Sequence, residues 1–231
     1  MLTLDAVDAG FGRALVLRGL SFRARPSEVT CVMGRNGAGK TTMLRAIMGQ
    51  VPVSAGRITL DGQRIETLAP HLIPQLGVGY VPQGRRLFGS LTVAENLDIG
   101  LMTRGRGRAT RDRVLDLFPR LRERLGQTAA TLSGGEQQML AIARALCLEP
   151  KVILLDEPTE GLQPSMIAAI RDTVRTLRGM GVAVVLVEQR AEAVLDLADR
   201  VAFVETGRVA EMVPAADLGP EAPQFARYVG V

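Results

Sequence analysis

The sequence of 231 residues contains only two cysteines and one histidine. Cys31 and Cys147 stand in apolar surroundings without the spacing of metal ligands, so we expect buried free thiols in a reducing compartment, the cytosol. No apolar run approaches the roughly 20 residues that a membrane-spanning helix needs. The first residues also lack the basic region and the apolar stretch of a signal peptide. These absences favour a cytosolic globular protein over a secreted or membrane-embedded one.

Lysine is scarce as well, although the formal net charge is +4. The basic residues are nearly all arginines, and the only lysines are Lys40 and Lys151. Arginines concentrate at 104–113, in a run that could contact nucleic acid or lipid headgroups. Because glycines alternate with these arginines and no aromatic residue is interleaved, we expect a solvated loop and no nucleic-acid partner.

A glycine-rich segment at 34–42 organises the chain and fits the phosphate-binding pattern GxxxxGK[ST]. It lies between a β-branched apolar run at 29–33, which predicts a buried strand, and a helical pattern at 42–48. In that context its backbone amides and the helix N-terminus favour a bound phosphate over a plain turn. We expect Lys40 to reach the β- and γ-phosphates of ATP and Thr41 to hold Mg²⁺. The candidate nucleotide-binding residues here are Gly34, Arg35, Asn36, Gly37, Ala38, Gly39, Lys40, Thr41 and Thr42.

Two adjacent carboxylates end the apolar run at 152–155, which predicts a central parallel strand. Asp156 is placed where a carboxylate can hold Mg²⁺ beside a nucleotide. Glu157 could orient and deprotonate the attacking water. A solvated acidic turn is the alternative, but such an apolar strand does not lead naturally into solvent.

The segment Leu132–Gln137 reads LSGGEQ and carries a family resemblance. The chain resembles the nucleotide-binding subunits of ABC transporters, for which this string is a signature. Ser133 can cap a helix there, and the amides of Gly134 and Gly135 offer a second anion site. The resemblance implies that Ser133, Gly134, Gly135 and Glu136 close on the γ-phosphate of ATP held by an opposite subunit.

The resemblance covers essentially the whole chain and implies two further ligand residues. Phe11 falls where the family stacks an aromatic ring on adenine, although a partly buried core position is the alternative. Gln83 matches the glutamine that senses Mg²⁺ or water and couples to the membrane partner; the alternative is a polar cap at the end of a strand.

Two positions depart from the common family pattern. Gln163 stands where an aspartate is usual, in the loop after the catalytic glutamate. Gln189 stands where a histidine usually contacts the γ-phosphate, and the only histidine, His71, is expected on the surface. Glutamine can donate a hydrogen bond but cannot carry a proton at neutral pH, so we expect Gln189 to position the phosphate and not to shuttle protons.

These departures resemble a subgroup, the ATP-binding subunits of branched-chain amino acid and urea uptake systems. The strings PTEGLQP, VLVEQ and GYVPQGRRLF carry that similarity. The string EVTCVMGRNGAGKTT and the terminal residues 225–231 are closer to the urea branch.

The order of elements predicts an α/β fold. We expect a P-loop NTPase (RecA-like) core with a mostly parallel sheet, N-terminal antiparallel β-strands and an inserted α-helical sub-domain. Residues 1–231 would form one ABC ATPase domain, with its α/β core at 1–85 and 150–231 and its helical sub-domain, including the signature, at 86–149. A helix in that sub-domain should stop at Pro119, and the runs at 200–204 and 209–213 should be edge strands.

The function that the resemblance implies is ATP hydrolysis coupled to uptake through a membrane permease. The expected partners are permease subunits, an identical or paralogous ATPase subunit and, indirectly, a periplasmic solute-binding protein. The chain would sit peripherally on the cytoplasmic face of the inner membrane. An ATPase of a lipid or other exporter is an alternative, although exporters generally keep the histidine that is missing here. An ABC ATPase acting on nucleic acid or ribosomes is disfavoured, because the chain has no second ATPase copy and no long coiled coil.

Overall fold

The structure, a computed structural model that describes residues 1–230, consists of two β-sheets and a set of α-helices. The strands are β1 (Leu2–Phe11), β2 (Ala14–Ala24), β3 (Val29–Met33), β4 (Val53–Leu60), β5 (Gln63–Arg64), β6 (Val78–Val81), β7 (Val152–Asp156), β8 (Ala183–Val187), β9 (Arg200–Glu205) and β10 (Arg208–Pro214). The helices are α1 (Lys40–Ile47), α2 (Val93–Thr103), α3 (Arg108–Leu117), α4 (Pro119–Arg122), α5 (Gly134–Leu146), α6 (Pro164–Gly179), α7 (Ala191–Leu197) and α8 (Pro223–Tyr228).

The larger sheet has the strand order β10-β9-β3-β8-β7-β6. All neighbouring strands run parallel except β10, which is antiparallel to β9. The prediction of a mostly parallel sheet is therefore confirmed. The prediction of two edge strands at its end is wrong for β9, because β9 also pairs with β3 and only β10 lies at that edge.

The central strands β3, β7 and β8 are buried along their whole length because helices or the second sheet cover both faces. On one face, Cys31 and Met33 belong to a core with residues of α5 and α6. On the other face, Val32 packs in a second core with Met43 and Leu44 of α1. This burial explains why these strands read as continuous apolar runs, and it fixes their carboxyl ends at one edge of the sheet.

The smaller sheet is antiparallel, with the order β2-β1-β4-β5, and confirms the expected N-terminal antiparallel strands. Its buried side belongs to the same core as α1 and includes Leu2, Leu4 and Leu20. This packing places the end of β1 and the start of β2 beside the loop that precedes α1.

The region 86–149 contains α2 to α5 and no named strand among the described residues. Thr92 and Glu95 form a capping box at the start of α2. Pro119 ends α3 as predicted, but it also occupies the first turn of α4, where its missing N–H costs nothing. The division of the chain into a core and a separate helical sub-domain stays a prediction.

The arginine run is not the freely solvated loop that its composition predicts. Arg106 forms an ion pair with Glu149 at 2.9 Å, and Arg113 contacts the same carboxylate. Arg104 donates hydrogen bonds to the backbone oxygens of Leu148 and Glu149, both at 2.9 Å. The acidic partner lies about 40 residues away in sequence, so composition alone could not reveal it.

The scarce cysteines have the environment expected of them. Cys31 and Cys147 are buried free thiols, and burial raises the pKa of Cys147 to about 12. Within residues 1–230, no helix is long and apolar enough to cross a membrane.

We predict that Gly100→Ala destabilises the packing of α2 on α5. A Cβ atom at Gly100 would lie 2.3 Å from the backbone oxygen of Arg144 and 2.9 Å from Cβ of Cys147. Such overpacking typically costs about 1–3 kcal/mol, measurable by urea denaturation. Gly126→Ala is the matched control, since a Cβ there meets no atom within 4 Å. Equal stability of the two variants would contradict this account of the helix contact.

Candidate functional site

The loop between β3 and α1 carries the phosphate-binding pattern in the strand–loop–helix context that the pattern requires. The loop is pressed against the end of β9, because a Cβ at Gly34 would lie only 2.2 Å from the backbone oxygen of Val204. Only glycine fits this close approach. The loop amides and the N-terminus of α1 are thereby placed at the carboxyl edge of the parallel sheet, where α/β proteins bind ligands.

Lys40 is the buried cation of this loop, with 6% of its surface exposed. Its Nζ atom donates hydrogen bonds to the backbone oxygens of Gly34 at 2.6 Å and Arg35 at 3.1 Å. Burial lowers the pKa of Lys40, and the nearby charges of Glu157 and Asp156 oppose that shift. The ammonium group is thus held inside the loop, in reach of an anion bound there.

Asp156 is a buried carboxylate at the end of β7, and its two oxygens differ in their hydrogen bonding. Its Oδ1 atom accepts a hydrogen bond from Thr41 Oγ1 at 3.4 Å, whereas its buried Oδ2 atom has no hydrogen-bond partner in the described chain. Burial raises its pKa, and the charge of Glu157 adds to that shift. A buried carboxylate oxygen without a partner, next to a hydroxyl group, fits the oxygen ligands that Mg²⁺ prefers.

Glu157 is held from both sides by glutamine amides. Gln189 Nε2 donates to its Oε1 atom, and Gln83 Nε2 donates to its Oε2 atom at 3.1 Å. Its backbone lies in the left-handed region, with φ of 48°, and its N–H donates to Val187 O at 3.1 Å. A non-glycine residue in this region is strained and persists only where its surroundings hold it. The carboxylate is therefore fixed in space beside the loop.

The two glutamines also contact other parts of the site. Gln189 Nε2 lies 3.3 Å from Asn36 Oδ1 of the phosphate-binding loop. Gln83 Nε2 donates to Glu160 Oε2 at 2.9 Å. The departure from histidine at position 189 thus places a neutral donor between the loop and Glu157.

A cavity of about 570 Å³ brings most of the predicted site residues together. It is lined by Val16, Asn36, Gly37, Gly39, Lys40, Thr41, Thr42, Gln83, Glu157, Glu160 and Gln189. Sequence reasoning did not select Val16 or Glu160 for this site. Val16 is one more apolar residue of β2 in the sequence, and Glu160 enters only because the turn after Glu157 folds back toward Gln83.

Some predicted residues lie outside that lining. Phe11 is half exposed at the end of β1, with no aromatic or cationic partner in the described part of the chain. Gly34, Arg35 and Ala38 belong to the loop but do not line this cavity; Arg35 and Ala38 line a neighbouring one. Asp156 lies beneath the cavity, joined to it through Thr41.

The signature segment starts α5 and also lies outside this cavity. Ser133 caps the helix in a capping box: its hydroxyl donates to Glu136 Oε2 at 2.7 Å, and its N–H donates to the same oxygen at 2.9 Å. These bonds lower the pKa of Glu136, and Arg124 pairs with its other oxygen at 3.2 Å. A Cβ at Gly134 would lie 2.8 Å from the guanidinium of Arg85, and one at Gly135 would lie 2.4 Å from Cε of Met166, so a larger residue at either position would require these flexible side chains to move. Glu136 is therefore committed to its own helix cap.

A glycine loop between strand and helix, a buried lysine at its end and acidic residues at the edge of a neighbouring strand define a phosphate-binding-loop nucleotide site. The ABC transporter family model matches residues 17–160, more than half of the chain. The chain belongs to the ABC transporter family, as one of its ATP-binding, ATP-hydrolysing subunits.

Curated relatives and a solved structure support this membership. The chain is 43% identical to the high-affinity branched-chain amino acid transport ATP-binding protein BraG of Pseudomonas aeruginosa, over 90% of this chain and 91% of BraG. It is 38% identical to the probable branched-chain amino acid transport ATP-binding protein LivF of Archaeoglobus fulgidus, over 91% and 90% of the two chains. A dimeric ATP-binding cassette in a post-hydrolysis state with ADP and phosphate matches with a TM-score of 0.82 and 26% identity, over 93% and 99% of the chains.

We predict that Asp156→Asn stabilises the nucleotide-free chain at pH 7. The pKa of Asp156 is raised in the folded state, so its ionised form opposes folding above that pKa, and an amide removes this cost. We expect the melting temperature to rise by about 2 °C or more. The difference should shrink as the pH falls through the raised pKa of Asp156 and vanish below about 3, where the carboxyl is neutral in both states.

Addition of Mg²⁺ and ATP should raise the melting temperature of the wild-type chain far more than that of the variant. Asp112→Asn, at an exposed position of α3, should respond like the wild type. A lower melting temperature for Asp156→Asn without nucleotide would contradict the assignment of a burial cost to this carboxylate.

Proposed function

We propose that this chain is the ATP-hydrolysing subunit of an importer that takes up branched-chain amino acids or urea through a membrane permease. The observation that carries the hydrolytic part is Glu157, a carboxylate held by Gln83 and Gln189 beside a phosphate-binding loop. The direction of transport and the solute class rest on the similarity to BraG and LivF and on the strings shared with the uptake subgroup.

The nucleotide is held first by its phosphates. The amides of residues 34–42 and Lys40 would bind the β- and γ-phosphates, with Lys40 exchanging its bonds to loop carbonyls for bonds to phosphate oxygens. Thr41, Asp156 and Gln83 would hold Mg²⁺. When bound, the ion neutralises charge on the β- and γ-phosphate oxygens. Phe11, which is half exposed at the end of β1, would stack on adenine.

Glu157 would accept the proton of the attacking water as a general base. Gln189 is placed to hydrogen-bond the γ-phosphate, because its amide already lies between Asn36 and Glu157. The amide stabilises developing charge as a fixed donor and takes no part in proton transfer.

Two ATPase subunits would assemble around the nucleotides. The chain's own signature lies outside its own cavity, so Ser133, Gly134 and Gly135 would serve a nucleotide bound by an identical or paralogous subunit. The similar dimeric cassette with ADP and phosphate supports such pairing. Glu136 would act indirectly, by keeping the Ser133 hydroxyl and backbone in place.

The subunit would work at the cytoplasmic face of the inner membrane, bound to permease subunits that receive solute from a periplasmic binding protein. Closure of the ATPase pair would drive the permease, and hydrolysis would reopen the pair. A role on nucleic acid is disfavoured, because Glu149 and backbone oxygens already engage Arg104, Arg106 and Arg113. The alternative function is that of an exporter subunit, and the glutamine in place of a histidine at position 189 argues against it.

We predict that Glu157→Gln retains ATP binding and lowers turnover at least about 100-fold, because an amide cannot accept the proton of water. Phosphate release and equilibrium binding of ATP would be measured on the same preparation. Glu192→Gln, at an exposed position of α7, makes the same chemical change away from the cavity and should leave both unchanged. Turnover at the wild-type rate in Glu157→Gln would show that another group is the base.

The transport assignment predicts that the tagged chain, isolated from its own membrane fraction, brings down permease subunits. Loss of the chain should abolish high-affinity uptake of labelled leucine, isoleucine and valine, or of labelled urea, and Lys40→Ala should not restore it. Arg227→Ala, at the exposed side of α8, is the matched control and should restore uptake. Recovery with ribosomes or nucleic acid and no membrane protein would refute the transport role, while leaving the ATP site in place.

A further inference from the structure

A second buried carboxylate, that of Glu188, lies next to the site, and the proposed function assigns it no role. Glu188 follows β8 directly, precedes Gln189 and has only 5% of its surface exposed. Carboxylates are almost never buried to this degree unless they are paired or hydrogen-bonded. The partners of Glu188 therefore define what it does.

Glu188 ties the backbone of the Gln189 loop to the turn that carries Glu157. Its Oε1 atom accepts the N–H of Gln189 at 3.0 Å and the N–H of Arg190 at 3.4 Å. Its Oε2 atom accepts the hydroxyl of Thr159, which lies two residues after Glu157 and is 4% exposed. One carboxylate thus joins two loops that follow neighbouring strands.

Arg190 closes the cluster from the solvent side. Its guanidinium donates to Thr159 Oγ1 at 2.8 Å, and its Nε atom lies 3.7 Å from Glu188 Oε1. The charge of Glu188 is therefore compensated, and the hydroxyl of Thr159 both donates and accepts. Thr159 and Glu188 line a neighbouring cavity of about 260 Å³ and not the cavity of about 570 Å³ that the phosphate-binding loop lines.

We propose that Glu188 and Thr159 are a positioning pair that fixes the Gln189 amide relative to Glu157. The inference rests on the proposed hydrolytic site and assigns it two residues that do not contact the nucleotide. The Thr159 hydroxyl makes two bonds to the loop of residues 188–190, one to Glu188 and one to Arg190, so its loss removes both and loosens the backbone that carries Gln189. Misplacement of a catalytic group by about 1 Å can cost 100-fold in rate, so we expect loss of the pair to lower turnover. ATP binding should be unaffected, because the pair does not line the cavity of the phosphate-binding loop.

The test uses Thr159→Val, which removes the hydroxyl, and Thr159→Ser, which keeps it. Thr159→Val should lower kcat about tenfold or more while KM for ATP stays within about twofold, and Thr159→Ser should keep kcat within about threefold. In a Gln189→Ala background, Thr159→Val should cause little further loss, because the pair acts through Gln189.

A second measurement does not depend on activity. Hydrogen exchange of the Gln189 and Arg190 amides, followed on the full chain without nucleotide, should be faster in Thr159→Val and in Glu188→Gln by about tenfold, and unchanged in Thr159→Ser. The melting temperature of each variant identifies global unfolding. If Thr159→Val does not fold, Glu188→Gln and Thr159→Ala carry both measurements.

The outcomes separate this inference from the proposed function. Suppose that the wild-type chain hydrolyses ATP and that Thr159→Val has the same kcat and the same amide exchange rates. That result would overturn the positioning pair and leave the proposed function in place. A full additional loss in the Gln189→Ala background also overturns the pair, since the effect would not pass through Gln189. A wild-type chain that hydrolyses no ATP overturns the proposed function together with the pair.

Discussion

The site depends on one constraint: several carboxylates lie at the carboxyl edge of two buried neighbouring strands and must be compensated there. Parallel pairing of β7 with β8 sets Asp156 opposite Val187, so Glu157 and Glu188 emerge side by side. Asp156 and Glu188 are buried and Glu157 is partly buried, so each needs hydrogen-bond donors close by. The donors are supplied by four separate segments of the chain, which contain Thr41, Gln83, Thr159 and the adjacent pair Gln189 and Arg190.

The packing of the sheet makes this concentration of charge possible. Apolar side chains on both faces of β3, β7 and β8 hold the strand register, which leaves no freedom to move the carboxylates apart. Within residues 1–230, one oxygen of Asp156 has no hydrogen-bond partner, and Lys40 Nζ donates to loop carbonyls. Both groups are less well satisfied than they would be with a nucleotide and a cation, so part of the cost of folding this edge is recovered on binding.

Local sequence patterns predict those parts of the fold and of the site that depend on residues close together in the sequence. The strand, loop and helix around Lys40, the helix cap at Ser133 and the apolar run before Asp156 involve residues within a few positions of one another. Local patterns do not predict the contacts between segments that are distant in the sequence. The sequence does not reveal that Glu149 holds Arg106, that β9 pairs with β3 or that Glu160 approaches Gln83. These contacts follow from strand order, which periodicity does not encode.

The glutamine at position 189 changes the electrostatics of this edge more than its geometry. An imidazole there would gain charge between about pH 5 and 8, and its protonated form would pair with Glu157 and compete with its role as a base. The amide of Gln189 remains a neutral donor to Glu157 at any pH, so the carboxylate is oriented without a paired cation. Orientation must then come from the backbone that carries Gln189, and Glu188 and Thr159 are the groups that hold that backbone.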